Sequence, residues 1–336
     1  MSKRLFFGVL FVSMLALVSC VKNADLPPIP NESNEPNQLV VVLMGDPQIP
    51  MAPETPANVR TAMDDIIGIE HDFIAVLGDL VQNKRRYYED YNNLIVQKSV
   101  KPVFSLAGNG DIGADPSLSA YQDATGFPPY YTIYKKGIRF IFLSVTSVSG
   151  NARHICHLGS EQLTWLTNEI DTDTNSTTAI FFHAPVFETT WHSEDREQKG
   201  FPGSMYLYES TEMRNLFNEH PNIKIYAHGH LHHQYGIVDE FGRGNYYNEG
   251  NVLHITVGAT ANNQGSSLLF IRDNEIVVKV RDHQNQSWQN SYEYEYPLKT
   301  TLQPATDQPL NPSRHHPRKA GMNIRNIRGR RAQPSN

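Results

Sequence analysis

Unbroken apolar runs, each closing on glycine and then a carboxylate or an amide, occur three times early in the chain. Leu39-Val40-Val41-Val42-Leu43-Met44 runs into Gly45-Asp46-Pro47-Gln48. Residues 72–77 run into Gly78-Asp79, and residues 102–107 into Gly108-Asn109-Gly110-Asp111. A strand buried on both faces loses its polar alternation and reads as such a run. Between the runs, residues 57–70 place Val59, Ala62, Met63, Ile66 and Ile67 on one helical face, and a second helix is expected over 84–98. Strand and helix in alternation predict a parallel sheet with crossover helices, whose functional residues gather beyond the carboxyl ends of the strands.

Past residue 117 the pattern changes. Residues 130–134 and 138–143 predict a hairpin around Lys135-Lys136-Gly137, and residues 158–170 a helix with Leu163, Trp165, Leu166 and Ile170 inward. A strand at 178–182 ends in His183-Ala184-Pro185. Residues 187–209 show no period and form a candidate lid, followed by a helix at 211–219. The strand at 223–226 leads into Ala227-His228-Gly229-His230-Leu231-His232-His233. Residues 252–257, 267–271 and 276–280 are expected to be strands of a second sheet. The whole predicts an α/β domain over 39–299, with two mixed β-sheets flanked by helices.

The ends differ from this body. Lys3 and Arg4 precede an apolar run, Leu5 to Val18, too short to span a bilayer, which is the layout of an export signal over 1–19. It ends Leu17-Val18-Ser19-Cys20, which resembles the lipobox of bacterial lipoproteins. That resemblance implies a lipid on Cys20, a membrane anchor and a place in the bacterial cell envelope. Residues 20–38, rich in Pro and Asn, read as a tether, and 300–336 as a basic, disordered tail. The net charge of −6 divides into +2 over residues 1–19, +6 over 300–336 and so −14 over the rest. An acidic body is a poor general ligand for nucleic acid, and no specific nucleic-acid partner is expected. With only two cysteines there is no disulfide framework, and Cys156 reads as a small buried hydrophobe. The sequence leaves the oligomeric state open.

Asp46, Gln48, Asp79, Asn109, His183, His230 and His232 all stand at strand ends. Two carboxylates, two amides and three imidazoles suit a pair of borderline divalent cations such as Mn, Fe or Zn. Two cations about 3.5–4 Å apart need one ligand that touches both. Asp79, on the middle of the three early strands, is the natural one.

In these blocks the chain resembles the calcineurin-like metallophosphoesterases. That family carries Asp-x-His, Gly-Asp-x-x-Asn/Asp, Gly-Asn-His-Asp/Glu, a lone His and Gly-His-x-His, each at a strand end. Here Asp46-Pro47-Gln48, Gly78-Asp79-Leu80-Val81-Gln82-Asn83, Gly108-Asn109-Gly110-Asp111, His183-Ala184-Pro185 and Gly229-His230-Leu231-His232 follow in the same order. The resemblance implies one metal on Asp46, Gln48, Asp79 and His232 and another on Asp79, Asn109, His183 and His230. It implies hydrolysis of a phosphomonoester or phosphodiester by a metal-held hydroxide, with Asn109 and Asp111 as the catalytic-motif residues and Asp111 orienting the site.

Two positions depart from the family. Gln48 stands in place of a histidine and is the weaker ligand. Gly110 stands where the family has the histidine that meets the phosphate and leaving group. Glycine gives no proton, and a general acid contributes about 10²–10⁴-fold. His154, His157, His192, His228 and His233 are possible substitutes, and Gly110→His is expected to raise turnover of poor leaving groups. The same departures leave an alternative: a non-catalytic envelope protein that keeps the fold for binding or structure.

Overall fold

Along the first strand Leu39, Val41 and Leu43 point to one side and Val40, Val42 and Met44 to the other, and both sets are buried in separate apolar clusters. That is why the run carries no polar alternation. The computed structural model describes residues 38–150, 154–191, 205–239 and 241–298. The export segment, Cys20, nearly all of the tether, the basic tail, His192 and most of the candidate lid lie outside the described residues.

The strands are β1 (Leu39–Met44), β2 (Phe73–Leu77), β3 (Val103–Leu106), β4 (Tyr131–Lys135), β5 (Ile138–Phe142), β6 (Ser147–Ser149), β7 (Ile155–His157) and β8 (Thr178–Phe181). They continue as β9 (Ile223–His228), β10 (Tyr246–Glu249), β11 (Val252–Thr256), β12 (Ser266–Ile271), β13 (Glu275–Asp282), β14 (Ser287–Trp288) and β15 (Tyr294–Pro297). The helices are α1 (Thr55–Ile66), α2 (Tyr88–Tyr91), α3 (Asn109–Ala114), α4 (Ser119–Thr125), α5 (Ser160–Thr172) and α6 (Ser210–Glu219).

Two mixed sheets stack face to face. One runs β14-β13-β12-β1-β2-β3 with β15 against β13, and the other β10-β11-β9-β8-β5-β4. β6 and β7 form a small separate ribbon. Between the sheets Phe73, Phe104, Phe140, Phe142 and Phe181 pack together, Phe73 edge-on to Phe104 and Phe140 with centroids 5.2 and 5.1 Å apart. Tyr131 stacks on Phe127 and Phe142 at the hairpin. Outside the sheets Val59, Met63 and Ile66 of α1, Leu166 and Ile170 of α5, and Met213, Leu216 and Phe217 of α6 cover the remaining apolar faces.

Two expectations change. The strands read as 252–257, 267–271 and 276–280 do not share a sheet. β11 lies parallel to β9, whereas β12 lies antiparallel to β1 and carries β13. Strands buried on both faces carry no label for their sheet, so pairing between distant segments decides it. The helix read over 84–98 is broken into a 3₁₀ turn at Arg85–Tyr87, α2 and a π turn at Asn92–Val96. Tyr88 and Tyr91 are buried and anchored by their hydroxyls, on Asp111 at 2.9 Å and on Ser105 at 2.6 Å. These bonds tie the short segment to β3 and α3.

Candidate metal centre

The parallel strands β1, β2, β3, β8 and β9 end at one edge of the sandwich, and the expected ligands follow them. Five of these non-glycine residues hold left-handed backbone: Asp46 (φ 43°), Gln48 (37°), Asp79 (49°), His230 (69°) and His232 (48°). Each such residue costs about 1–3 kcal/mol and persists only where its surroundings fix it. The surroundings are close-packed. A Cβ on Gly229 would overlap Asp46 Oδ2, and one on Gly108 would overlap Asp79. The Asp46 carboxylate accepts the His230 backbone N–H at 2.9 Å.

Each of the seven touches at least one other of the set. Asp46, Asp79 and His183 offer ligand atoms within 4.8 Å of one another. Backbone carbonyls set the protons on two of the rings. A carbonyl only accepts, so His183 Nδ1 donates to Leu77 at 2.8 Å and the neutral ring keeps its lone pair on Nε2. By the same rule His230 Nε2 donates to the His154 carbonyl at 2.9 Å, leaving the lone pair on Nδ1. The two lone pairs face each other at 3.1 Å. Asn109 Oδ1 lies 3.0 Å and Asp79 Oδ1 3.3 Å from the same His183 Nε2. Four acceptors thus converge, and the donor among them is the Gly110 N–H on Asp79 Oδ1. A second proton on a ring or a cation would satisfy them. Burial, and then the neighbouring His183 and His154 rings, hold His230 well below the ordinary histidine range. That disfavours a second proton on His230, and a cation would serve all four atoms.

The other half is built around Asp46. His232 Nε2 lies 3.4 Å from Asp46 Oδ1. Gln48 Nε2 donates to Asp79 Oδ2 at 2.7 Å, while Gln48 Oε1 is buried without a hydrogen-bond partner. Asp79 thus turns Oδ1 to one half and Oδ2 to the other. The donor set and the orphaned Oε1 fit divalent cations.

Asp111 stands behind this cluster. Its buried carboxylate accepts the N–H groups of Gly108 (2.8 Å), Leu80 (3.0 Å) and Val81 (3.3 Å) and the Tyr88 hydroxyl (2.9 Å). Burial, then the charge of Asp79, pushes it up to about 7. It clamps the turn that presents Asp79. At Gly110 the backbone N–H donates to Asp79 Oδ1 at 2.6 Å, and a Cβ there would stand 2.9 Å from the Val81 carbonyl. The site leaves no room for the family's histidine at this position.

Of the other candidate histidines, His228, His157 and His233 are engaged elsewhere. His228 is buried 3.2 Å from Thr256 Oγ1, and burial lowers it to about 3. His157 bonds Ser149 and stacks on Tyr208, and His233 stacks on Trp191. The His154 ring lies beside that of His230, centroids 5.8 Å apart. Cys156 is buried, and burial raises its thiol well above its usual range. The Leu77 and His154 carbonyls are not legible in the sequence, since a backbone contact leaves no residue signature. Nor are Asn262 and Gln264, which touch His232 from the β11–β12 connection.

A profile of the calcineurin-like phosphoesterases matches residues 39–234. Among solved structures, a dimetal phosphatase from Danio rerio is 13% identical, with 78% of this chain and 99% of that one covered at a TM-score of 0.59. GAP50, the anchor in the inner membrane complex of Plasmodium, is 14% identical, with 79% and 90% covered at 0.56. The purple acid phosphatase PPD1 from yellow lupin is 14% identical, with 80% and 55% covered at 0.56. At such identities these likenesses speak for the fold alone. No curated protein matches the chain. The profile spans more than half of the sequence and includes every residue of the cluster, and the chain belongs to the calcineurin-like phosphoesterase family.

Proposed function

We propose that this protein hydrolyses a phosphomonoester or phosphodiester with two divalent cations, one on Asp46, Gln48, Asp79 and His232 and one on Asp79, Asn109, His183 and His230. The observation that carries this reading is the convergence of His183 Nε2, His230 Nδ1 and Asn109 Oδ1 beside Asp79 Oδ1, with two ring lone pairs facing each other at 3.1 Å. When bound, the cations would offset the phosphate charge and bring the pKa of a water toward neutrality. The chain supplies the frame. The Leu77 and His154 carbonyls fix the His183 and His230 tautomers, as outer partners of metal ligands do. Asp111 holds the turn under Asp79. Gly110 gives no proton to the departing oxygen, so aryl esters, whose leaving groups need no acid, are the favoured substrates. The enzyme would work in the cell envelope on a lipid at Cys20, a reading supported by the sequence of residues 1–20.

The test is metal content and turnover of the purified chain on aryl and alkyl phosphate mono- and diesters. Two metals per chain are expected, with aryl esters ahead of alkyl ones by about 10²–10⁴-fold, the usual contribution of a general acid. Asp79→Asn should lose metal and activity together, and an active, metal-replete Asp79→Asn protein would end the assignment. A second reading is a non-catalytic envelope protein. Gly110 and Gln48 favour it, and the fold is shared with the Plasmodium anchor. No turnover of any ester, with no metal or a single one bound, would select it.

A further inference from the structure

One turn, beyond the last residue that the family profile matches, grips both ends of the Asp46 half. It runs from Ala259 to Gln264 and joins β11 to β12. Thr260 N–H donates to the Gly45 carbonyl at 2.8 Å and Ala261 N–H to the Asp46 carbonyl at 3.1 Å. Asn58 of α1 braces the turn from behind, its Nδ2 donating to the Ala261 carbonyl at 2.8 Å. Gln264 Nε2 donates to the His232 carbonyl at 3.0 Å, while its Oε1 accepts the Ala259 N–H at 2.7 Å. Asn262 Nδ2 lies 3.2 Å from His232 Nδ1. His183 and His230 rest instead on the Leu77 and His154 carbonyls.

We infer that Asn262 and Gln264 are positioning residues for one of the two metals, the one on the Asp46 side, with Asn262 setting the tautomer of His232. This rests on the two-cation reading above. With Nδ2 toward the ring, Asn262 donates to Nδ1, so the neutral imidazole carries its proton on Nε2, facing Asp46 Oδ1. To ligate through Nε2 that proton must leave, and a neutral ring then carries it on Nδ1. A half-turn of the Asn262 amide presents Oδ1 to accept it. An amide therefore serves His232 with and without metal, whereas a carboxylate serves only the metal-ready tautomer. Outer partners of this kind typically change metal affinity by about 10–100-fold. The weak amide ligand Gln48 sits in the same half, where such support matters most.

The experiment is calorimetric titration of the metal-stripped full-length protein with Zn²⁺ at neutral pH, with the thermal midpoint of each metal-free protein measured alongside. Wild type is expected to bind in two steps. Asn262→Ala should weaken one step by about 10–100-fold and spare the other, and Asn262→Asp should restore or tighten that step. The metal-free midpoints should agree, since Asn262 is exposed. Gln264→Ala should weaken the same step. Two unaltered steps in Asn262→Ala, equal weakening of both, or no recovery in Asn262→Asp would overturn the inference and leave the two-cation reading intact. A wild-type chain that takes up fewer than two Zn²⁺ would overturn that reading, and this inference with it.

Discussion

Gly110 shows how little room the centre leaves for change. From the missing acid alone, Gly110→His is expected to help with poor leaving groups. The structure adds that a Cβ there must displace the Val81 carbonyl or Asp79, whose Oδ1 lies 3.1 Å away. Gly110→Ala and Gly110→His are therefore expected to lower metal affinity by about 10-fold or more and to lower aryl and alkyl phosphate turnover alike, by analogy with other losses of ligand support. Metal titration and steady-state rates check this, and faster alkyl ester cleavage by Gly110→His would contradict it. The strand-end residues in contact here were legible as letters, because metal chemistry restricts ligand types and strand ends restrict their positions. The contacts that orient them were not. Leu77 and His154 act through backbone carbonyls, and Asn262 sits in a turn with no distinguishing pattern.

At the scale of elements, α1 is fastened to the sheet by an ion cluster that no periodicity announces. Asp65 accepts two bonds from Arg281 of β13, at 2.8 and 2.7 Å, and one from His283 Nδ1 at 2.9 Å. His283 Nε2 lies 2.9 Å from Ser266 Oγ. Serine, histidine and aspartate stand in the order of a hydrolytic triad, but Ser266 is fully buried and Arg281 holds the carboxylate, so the cluster is a tie. Asp65→Asn should cost about 1.5–3 kcal/mol, the usual worth of charged hydrogen bonds, measured by urea unfolding at pH 7. Burial opposes the Asp65 charge, but the Arg281 and His283 bonds prevail and hold it below 3.8. Its contribution is present above that pH and lost as pH falls through the lower folded value. Burial holds His283 below 6.5 despite the Asp65 bond. Its neutral form is kept in the fold, so stability falls as pH drops from 6.5 toward the folded value. Between pH 7 and 5 the loss should be smaller in His283→Gln, and an equal or larger loss would contradict this assignment. The strands were legible from their apolar runs and their sheets were not, for β11 and β12 read alike and joined different partners. The segment 84–98 reads as one helix, whereas its broken turns are tied by the Tyr88 and Tyr91 hydroxyls to Asp111 and Ser105, distant residues that no local pattern announces.

For the whole molecule, two sheets whose parallel strands end at one edge bring Asp46 and Asp79 from one together with His183, His230 and His232 from the other. Neither sheet holds the set alone, so the centre and the sandwich depend on each other. The acidic body adds a field that attracts divalent cations and repels polyanions. The most direct measurement is the anomalous difference map of crystals of this protein grown with Mn²⁺. The account predicts two peaks about 3.5–4 Å apart astride Asp79, one against Asn109, His183 and His230 and the other against Asp46, Gln48 and His232. One peak, none, or peaks away from Asp79 would contradict it.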